Sequence, residues 1–406
     1  MTKQTNTPEL RFPEFKNEWS KLTMNDFLME DKQYGTQKDT NFPIVTSSRQ
    51  GLYIQNKYFE GDRSFANKNV TFSIVPINYF TYRHMSDDDI FKFNINKFNT
   101  PILVSKEYPV FTVKNTFSQN FIFYELNNNI RFLKFCRIQK KGGTRTRLYF
   151  KNLLQYQTYF PNYEEQQKIG VFFYKLDQQI ELEEKKLELL EQQKRGYMQK
   201  IFSQQLRFKD ENGNDYPEWK KKKLDDVANY RRGSFPQPYG NKKWYDEKNG
   251  EPFVQVVDVD KNMKLHDKTK QKISDLAKPK SVKGFKGDIV VTLQGSIGRV
   301  AILQYDAYID RTLLLINSFK IKMNKNYFKY VLYLLFLREK ERAPGGTIKT
   351  ITKAVLSNFE IDIPTLEEQN KIGMFFNEID NLIELQNNKI NHLKHRKQGL
   401  LQKMFV

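Results

Sequence analysis

Apolar residues recur at alternating four- and three-residue intervals over two long stretches of this chain. The first register is Ile169, Phe173, Leu176, Ile180, Leu187, Leu190, Tyr197 and Ile201, interrupted by Glu183 and Lys194. The second is Ile372, Phe376, Ile379, Ile383, Ile390, Leu393, Leu400 and Met404, interrupted by Gln386 and Lys397. Held over about five heptads, this spacing predicts a coiled-coil seam. A single such helix could equally lie on a domain core; two matching ones favour mutual pairing. Polar layers weaken a seam but fix its register. An antiparallel pairing that matches them sets Glu183 against Lys397 and Lys194 against Gln386.

Both stretches are headed by the same motif. Pro161-Asn162-Tyr163-Glu164-Glu165-Gln166 leads the first and Pro364-Thr365-Leu366-Glu367-Glu368-Gln369 the second, a shift of 364 − 161 = 203 residues. Extended back to Gly142-Gly143-Thr144 and Gly345-Gly346-Thr347, the copies align without a gap, with about two positions in five identical. The repeat also includes the lead into each half: Arg11-Phe12 and then Glu18-Trp19, against Arg207-Phe208 and then Glu218-Trp219. The shift grows from 196 at the Arg-Phe pairs to 200 at the tryptophans, which places an insertion at the turn Asn212-Gly213-Asn214-Asp215. A long internal repeat fixes architecture before any single motif does.

The segments between lead and helix share little identity. Strand-like runs fall at 42–46, 70–75, 102–105 and 121–125 in the first half, and at 252–259, 288–293 and 299–303 in the second. Residues 327–341 read as a helix. A shared frame around divergent centres predicts two similar folds with different binding surfaces.

Charge narrows the class of partner. With 67 Lys and Arg against 47 Asp and Glu, the 406-residue chain carries +20, a field that favours a polyanion such as nucleic acid or an anionic membrane. Aromatics at 14 % exclude a disordered chain. A lone Cys136 excludes a disulfide framework. The polar start and the absence of a long apolar run predict no signal peptide and no membrane span, hence a cytoplasmic protein. The 33 residues from Ile169 to Ile201 make a rod of about 50 Å, comparable to about 15 base pairs. Such a rod could space two reading heads along DNA.

Catalytic signatures are missing. The sequence has no Walker loop, no G-x-G-x-x-G and no Asn-Pro-Pro-Tyr-type motif of an amino-methyltransferase. His392 and His395 stand three apart on the second helix without carboxylate or thiol companions, and read as solvated helix-face residues. Glu218-Trp219-Lys220 echoes part of a nuclease signature, but the parallel Glu18-Trp19 makes it a structural lead. No catalytic or metal-binding residue is assigned.

The repeated Pro-x-x-Glu-Glu-Gln followed by Lys168-Ile169-Gly170 and Lys371-Ile372-Gly373 resembles the specificity subunit of type I restriction-modification systems, over nearly all of residues 10–405. The second half adds Arg231-Arg232-Gly233-Ser234-Phe235-Pro236, and Gly287-Asp288-Ile289-Val290 running to Gly295-Ser296-Ile297-Gly298; the first half lacks clear counterparts of both. The resemblance implies an α+β protein, with two α/β target-recognition domains in a pseudo-two-fold arrangement separated by two long helices in an antiparallel coiled coil. The corresponding segments are a polar tail at 1–10, recognition domains at 11–160 and 207–363, and helical spacers at 161–206 and 364–406. It implies a non-catalytic subunit that reads double-stranded DNA, each domain taking half of a bipartite, asymmetric target. Its implied partners are two methyltransferase (modification) subunits and restriction/translocase subunits. S-adenosylmethionine, ATP and Mg are implied on those partners, with no cofactor in this chain.

Base readout favours Arg or Lys to guanine and Asn or Gln to adenine. In the first domain the candidate DNA-binding cluster is Ser47, Ser48, Arg49, Gln50, Lys57, Arg63, Arg83 and His84, with Arg145 and Arg147 after the Gly pair. In the second it is Arg231, Arg232, Lys242, Lys243, Gln294, Ser296 and Arg299, with Lys349 after Gly345-Gly346. Each one taken alone could equally be a solvated surface group; the loops are the firmer expectation. The alternative function is a coiled-coil protein-binding scaffold without sequence-specific DNA recognition. A stand-alone restriction or methylation enzyme is disfavoured by the missing motifs.

Overall fold

A computed structural model describes residues 6–55, 70–140, 145–342 and 353–406. The chain divides into two compact units, Met1–Lys186 with Asn387–Val406, and Leu187–Gln386. Five helices matter most: α1 Gln119–Asn128, α2 Ile130–Ile138, α3 Tyr163–Phe202, α4 Lys325–Arg342 and α5 Leu366–Met404. The unit boundaries cut α3 and α5, so each unit holds one half of either helix. Among the described residues no helix is long and apolar enough to cross a membrane.

The first unit contains an antiparallel four-stranded sheet, in the order Leu28–Glu30, Val110–Val113, Phe80–Tyr82, Phe93–Ile95, and a three-stranded one of Ile102–Ser105, Thr71–Val75 and Tyr34–Thr36. Its core is aromatic. Phe27, Phe80, Phe93, Phe111, Phe121, Phe160 and Phe173 are all buried, and Leu401, Met404 and Phe405 from the end of the chain join them. The run 121–125, strand-like in sequence, is helical as part of α1. Ser118 caps it, its hydroxyl accepting from Phe121 N, and both faces are buried. A short apolar run buried on both sides carries no periodicity to separate strand from helix.

The second unit has two four-stranded sheets. One is antiparallel, in the order Ala228–Arg232, Leu313–Phe319, Ile289–Thr292, Val300–Ile302. The other runs Gln271–Ile273, Glu251–Val254, Ala307–Ile309, Val282–Gly284, with a parallel pair at its centre. The helix expected over 327–341 is α4, buried against the first of these sheets through Phe328, Leu332 and Phe336. The turn at 212–215 also forms, with Gly213 at φ +81° and Asp210 accepting from Asn212 N and Asn214 N.

The repeated motif acts as the lock of each unit. The strand after the first tryptophan, Ser20–Thr23, pairs antiparallel with Gln157–Phe160, and Lys220–Lys223 pairs likewise with Glu360–Ile363. The second Glu of the motif then grips the leading arginine. Arg11 donates to both oxygens of Glu165 at 2.7 Å, and Arg207 to both oxygens of Glu368 at 3.1 and 2.7 Å. The Gln closes a second contact. Gln166 Nε2 donates to Pro161 O while its oxygen accepts from Ser118 N at the start of α1; Gln369 does the same with Pro364 O and Asn324 N at the start of α4. The following glycines are required by close approach: a Cβ on Gly170 would stand 2.7 Å from Phe121 N, and one on Gly373 2.6 Å from Asn324 Oδ1.

Within each unit the halves of α3 and α5 run antiparallel, but not in the register expected from the polar layers. Lys397 bonds Asp177 rather than Glu183, and Lys194 bonds Asp380 at 2.6 Å rather than Gln386. Both expected partners are displaced by six residues (183 − 177 and 386 − 380). Glu183 pairs with Lys389 instead, and Gln386 is buried. Asp177 and Asp380 are themselves repeat-matched (380 − 177 = 203), as are Lys194 and Lys397, so each unit makes the same ion pair. A phenol completes each: Tyr124 OH donates to Asp177 at 2.6 Å, and Tyr330 OH donates to Asp380. These phenols lie on α1 and α4, outside the seam, where heptad reading does not reach. Toward the helix ends the seam drifts, so that Tyr197 is exposed while Met198 and Leu401 are buried, as 3.6 residues per turn requires of a 3.5-residue repeat.

One buried acid makes the first unit pH-sensitive. Glu125 on α1 accepts from Asn129 Nδ2 at 2.9 Å and Tyr156 OH at 3.1 Å, and burial pushes its carboxyl from the ordinary 4.5 up to about 7. A folded pKa above the unfolded one means stability that is full below about pH 4.5 and is lost as pH rises through about 7. Between pH 5 and 8 the native protein should lose about 2–3 kcal/mol relative to Glu125→Gln, read from urea midpoints of both at each pH.

Candidate nucleic-acid interface

In the second unit the expected residues converge on one end of the antiparallel sheet. Strand pairing sets Arg231 opposite Leu315 and Arg232 opposite Leu314, and Leu314 opposite Val291 on the other side. Beyond that point the chain turns three times in one place. Gly233 N donates to Leu313 O at 3.0 Å, and Leu293 N donates to Thr312 O at 2.8 Å. Gly233 follows the arginines because a Cβ there would lie 2.2 Å from the carbonyl oxygens of Ile309 and Asp310. Arg231, Arg232, Gln294 and Ser296 are exposed at this end.

Thr292 shapes the 293–299 turn, its hydroxyl donating to Ser296 O at 2.6 Å and accepting from Arg299 N at 3.0 Å. Arg299 is only half-exposed, and donates through Nη1 to Val259 O at 2.9 Å, so it builds the loop rather than reaching out of it. Lys242 and Lys243 lie on a short helical turn, where the Lys243 ammonium sits 4.4 Å from the Trp244 ring. That turn belongs to an aromatic cluster of Phe235, Trp244, Phe253 and Tyr308. Buried Asp310 links the cluster to the sheet end, accepting from Tyr239 OH at 2.7 Å and Thr312 N at 2.8 Å. The neighbouring Arg311, exposed with its guanidinium 5.5 Å from the Tyr239 ring, was not among the expected residues. Its signal was the Asp310-Arg311-Thr312 turn itself, in which a side-chain acceptor replaces a backbone one.

In the first unit three segments meet. Arg49 occupies the turn of the hairpin Val45–Ser48/Gly51–Ile54. The short pair Met85–Ser86/Thr146–Arg147 brings 83–89 beside 145–147. Arg49 donates to both carboxylate oxygens of Asp88, through Nη1 at 2.7 Å, and Arg145 Nε donates to Asp87 at 2.8 Å. Arg83, Arg147 and Gln50 are exposed on the same segments. Two expected contacts are placed inside instead. Ser47 is 4 % exposed and accepts from Asn94 Nδ2, holding the hairpin. His84, also 4 % exposed, stacks on Tyr149 with centroids 5.5 Å apart, and burial pushes its imidazole below the ordinary range. Ser48 is half-buried and accepts from Gln50 N. Lys57, Arg63 and Lys349 lie outside the described residues. The acidic partners Asp87 and Asp88 were missed, because they belong to a segment remote in sequence from the arginines they meet.

Both sites therefore present exposed guanidinium and amide groups on tight turns held by the sheet behind them. That is the arrangement base and phosphate contacts need, and it contains no cluster of metal-ligating side chains among the described residues.

Comparison with known proteins gives the family. The family described as type I restriction modification DNA specificity domain matches residues 21–192 and again 216–395. A relative from Methanocaldococcus jannaschii that carries the name of the MjaX type I restriction enzyme specificity subunit is 26 % identical over 299 residues, 71 % of this chain and 67 % of the relative. The MjaVIII specificity subunit of the same organism is 35 % identical over 80 residues, 19 % of either chain. The fold resembles the type I system S subunit from M. genitalium, with a TM-score of 0.61 at 14 % identity over 98 % of this chain and 99 % of that one. It also resembles a chain from a structural study of complex assembly and conformational transition in the type I R-M system, with a TM-score of 0.57 at 16 % identity over 95 % and 97 %. The chain thus belongs to the type I restriction-modification DNA specificity family, and with two copies of the domain it is the specificity subunit of such a system.

Proposed function

We propose that each unit reads one half of a bipartite, asymmetric DNA target, the second through the sheet end around Arg232 and the first through the loops around Arg49. The observation that carries this reading is the repeated lock: the same Arg–Glu and Gln–helix contacts close two units around loops that share almost no sequence. The long helices set the unspecified gap and help hold two modification subunits. Matched positions on the helices support a docking role, since Leu182 and Leu385 remain 66 % and 65 % exposed, and Val171 and Met374 are exposed as well. Apolar side chains repeated on an outer helix face favour an apolar partner. The chain contributes recognition and no bond-making step; methyl transfer from S-adenosylmethionine, and ATP- and Mg-dependent translocation and cleavage, fall to modification and restriction subunits in the cytoplasm.

The test is a pair of substitutions in the complex assembled with modification subunits. Arg49→Ala and Arg232→Ala should each weaken binding by about 1–3 kcal/mol and relax specificity in one half-site only, a different half for each. Competition against duplexes altered in either half reads this directly. Equal weakening on every sequence would assign that arginine to phosphate, and no sequence preference in the native complex would overturn the reading.

A further inference from the structure

Arg49 does not extend freely from its hairpin. Its two terminal nitrogens both face Asp88, Nη1 to Oδ2 at 2.7 Å and Nη2 to Oδ1, and Nη2 also donates to Ser86 Oγ at a long 3.4 Å. Asp88 is in turn fixed by its own turn: Ser86 Oγ donates to Oδ1 at 2.9 Å, and Ile90 N donates to the same oxygen at 3.3 Å. The hairpin beneath Arg49 is anchored separately, Asn94 Nδ2 donating to Ser47 Oγ at 2.9 Å and to Ser48 O at 3.0 Å. Asp87, next along, is engaged with Arg145. Both Arg49 and Asp88 remain about half exposed, at 55 % and 48 %.

We propose that Asp88 is a positioning residue for Arg49, holding the guanidinium in one orientation so that its Nε edge meets a single base pair in the first half-site. A guanidinium carries five N–H donors in a rigid fork. Gripped end-on by a carboxylate, it keeps its Nε–H and, once the long Nη2 contact to Ser86 Oγ is given up, the adjoining Nη2–H for another acceptor pair. The guanine O6 and N7 atoms form such a pair, and bidentate contact there is the commonest specific readout. Fixing the rotamer before binding removes part of the entropy cost of making that contact. It also keeps the arginine from swinging onto whichever phosphate is nearest, a contact that positions without specifying. An exposed ion pair contributes little to folding, so its value here lies in orientation.

The proposal rests on the first unit's loops facing DNA, and the experiment separates the two. The specificity chain is assembled with modification subunits, and the target is defined by methylome sequencing of a host that carries it. Binding is then measured on that duplex and on duplexes changed one base pair at a time in either half-site. Asp88→Ala should reduce discrimination about tenfold at one base pair of the first half-site, the pair affected by Arg49→Ala, and leave the second half-site unchanged. Asp88→Glu should restore part of it, and Glu211→Gln, the same change of charge in the exposed turn of the second unit, should do nothing. If Asp88→Ala fails to fold by thermal melting, Asp88→Asn carries the test. Tighter binding to every duplex by one common factor would make Asp88 a competitor of DNA rather than a positioner and overturn the proposal. A silent Asp88→Ala beside an active Arg49→Ala also overturns it, whereas a silent Arg49→Ala overturns the assignment of this face to DNA.

Discussion

Glu368→Ala should cost the second unit about 3–5 kcal/mol of stability, the range for stranding one partner of a buried ion pair. Glu368 is fully buried and accepts three hydrogen bonds: two from Arg207, and one from Trp219 Nε1 at 3.0 Å. Removing the carboxylate leaves a guanidinium and an indole N–H without their acceptor, and opens the junction at which the strand Lys220–Lys223 joins its partner. Glu165→Ala should cost less. Glu165 holds Arg11 in the same bidentate way, but Trp19 Nε1 has no hydrogen-bond partner, so one fewer donor is stranded. Urea unfolding followed by tryptophan fluorescence and circular dichroism provides both values. A loss below about 1 kcal/mol for Glu368→Ala would place the pair among solvent-screened ion pairs and leave the conservation of the motif between the two halves without this explanation.

Asp380→Ala should rank close behind, again at about 3–5 kcal/mol. Burial alone would raise this carboxyl, yet the ammonium groups of Lys194 and Lys329 together with the Tyr330 hydroxyl hold it below the usual range. Lys329 is 6 % exposed and its own pKa is lowered by burial, so deleting the carboxylate leaves two ammonium groups without their counter-charge in an apolar setting. The matched substitution Asp177→Ala in the first unit should cost clearly less, because that carboxylate is 36 % exposed and its Lys397 pair is partly screened by solvent. Asp380→Lys combined with Lys194→Asp should recover only part of the loss, since Lys329 would then face a second lysine. The order Asp380 above Asp177 is what thermal and urea unfolding of the single variants must reproduce; the reverse order would mean that Coulomb energy rather than burial controls these pairs.

Both variants bear on how the protein is written. The Pro-x-x-Glu-Glu-Gln motif is visible in the sequence as a repeat, whereas the role of each letter is not. Its roles are tertiary: Glu165 and Glu368 reach back more than 150 positions to an arginine, and Gln166 and Gln369 reach the first turn of a different helix. The two arginines were visible too, as the start of each half. Nothing local joins them to the motif, because covalent neighbours carry no information about a contact that loop closure alone creates.

By itself the sequence determined the duplication and the two seams, and narrowed the partner to a polyanion. Those properties follow from periodicity and composition, which record burial and charge residue by residue. Tertiary structure alone decided the register of the seam, since sliding two heptad repeats past one another leaves apolar facing apolar and changes only which charges meet. Asp177 and Asp380 settled it from beside the seam with the help of tyrosines on other helices. The same holds at the loops proposed to face DNA. Arg49, Arg231 and Arg232 were legible as arginines near turns, but which of them is held by an aspartate, which stand opposite Leu315 and Leu314, and which expected neighbour is buried were fixed by strand pairing between distant segments.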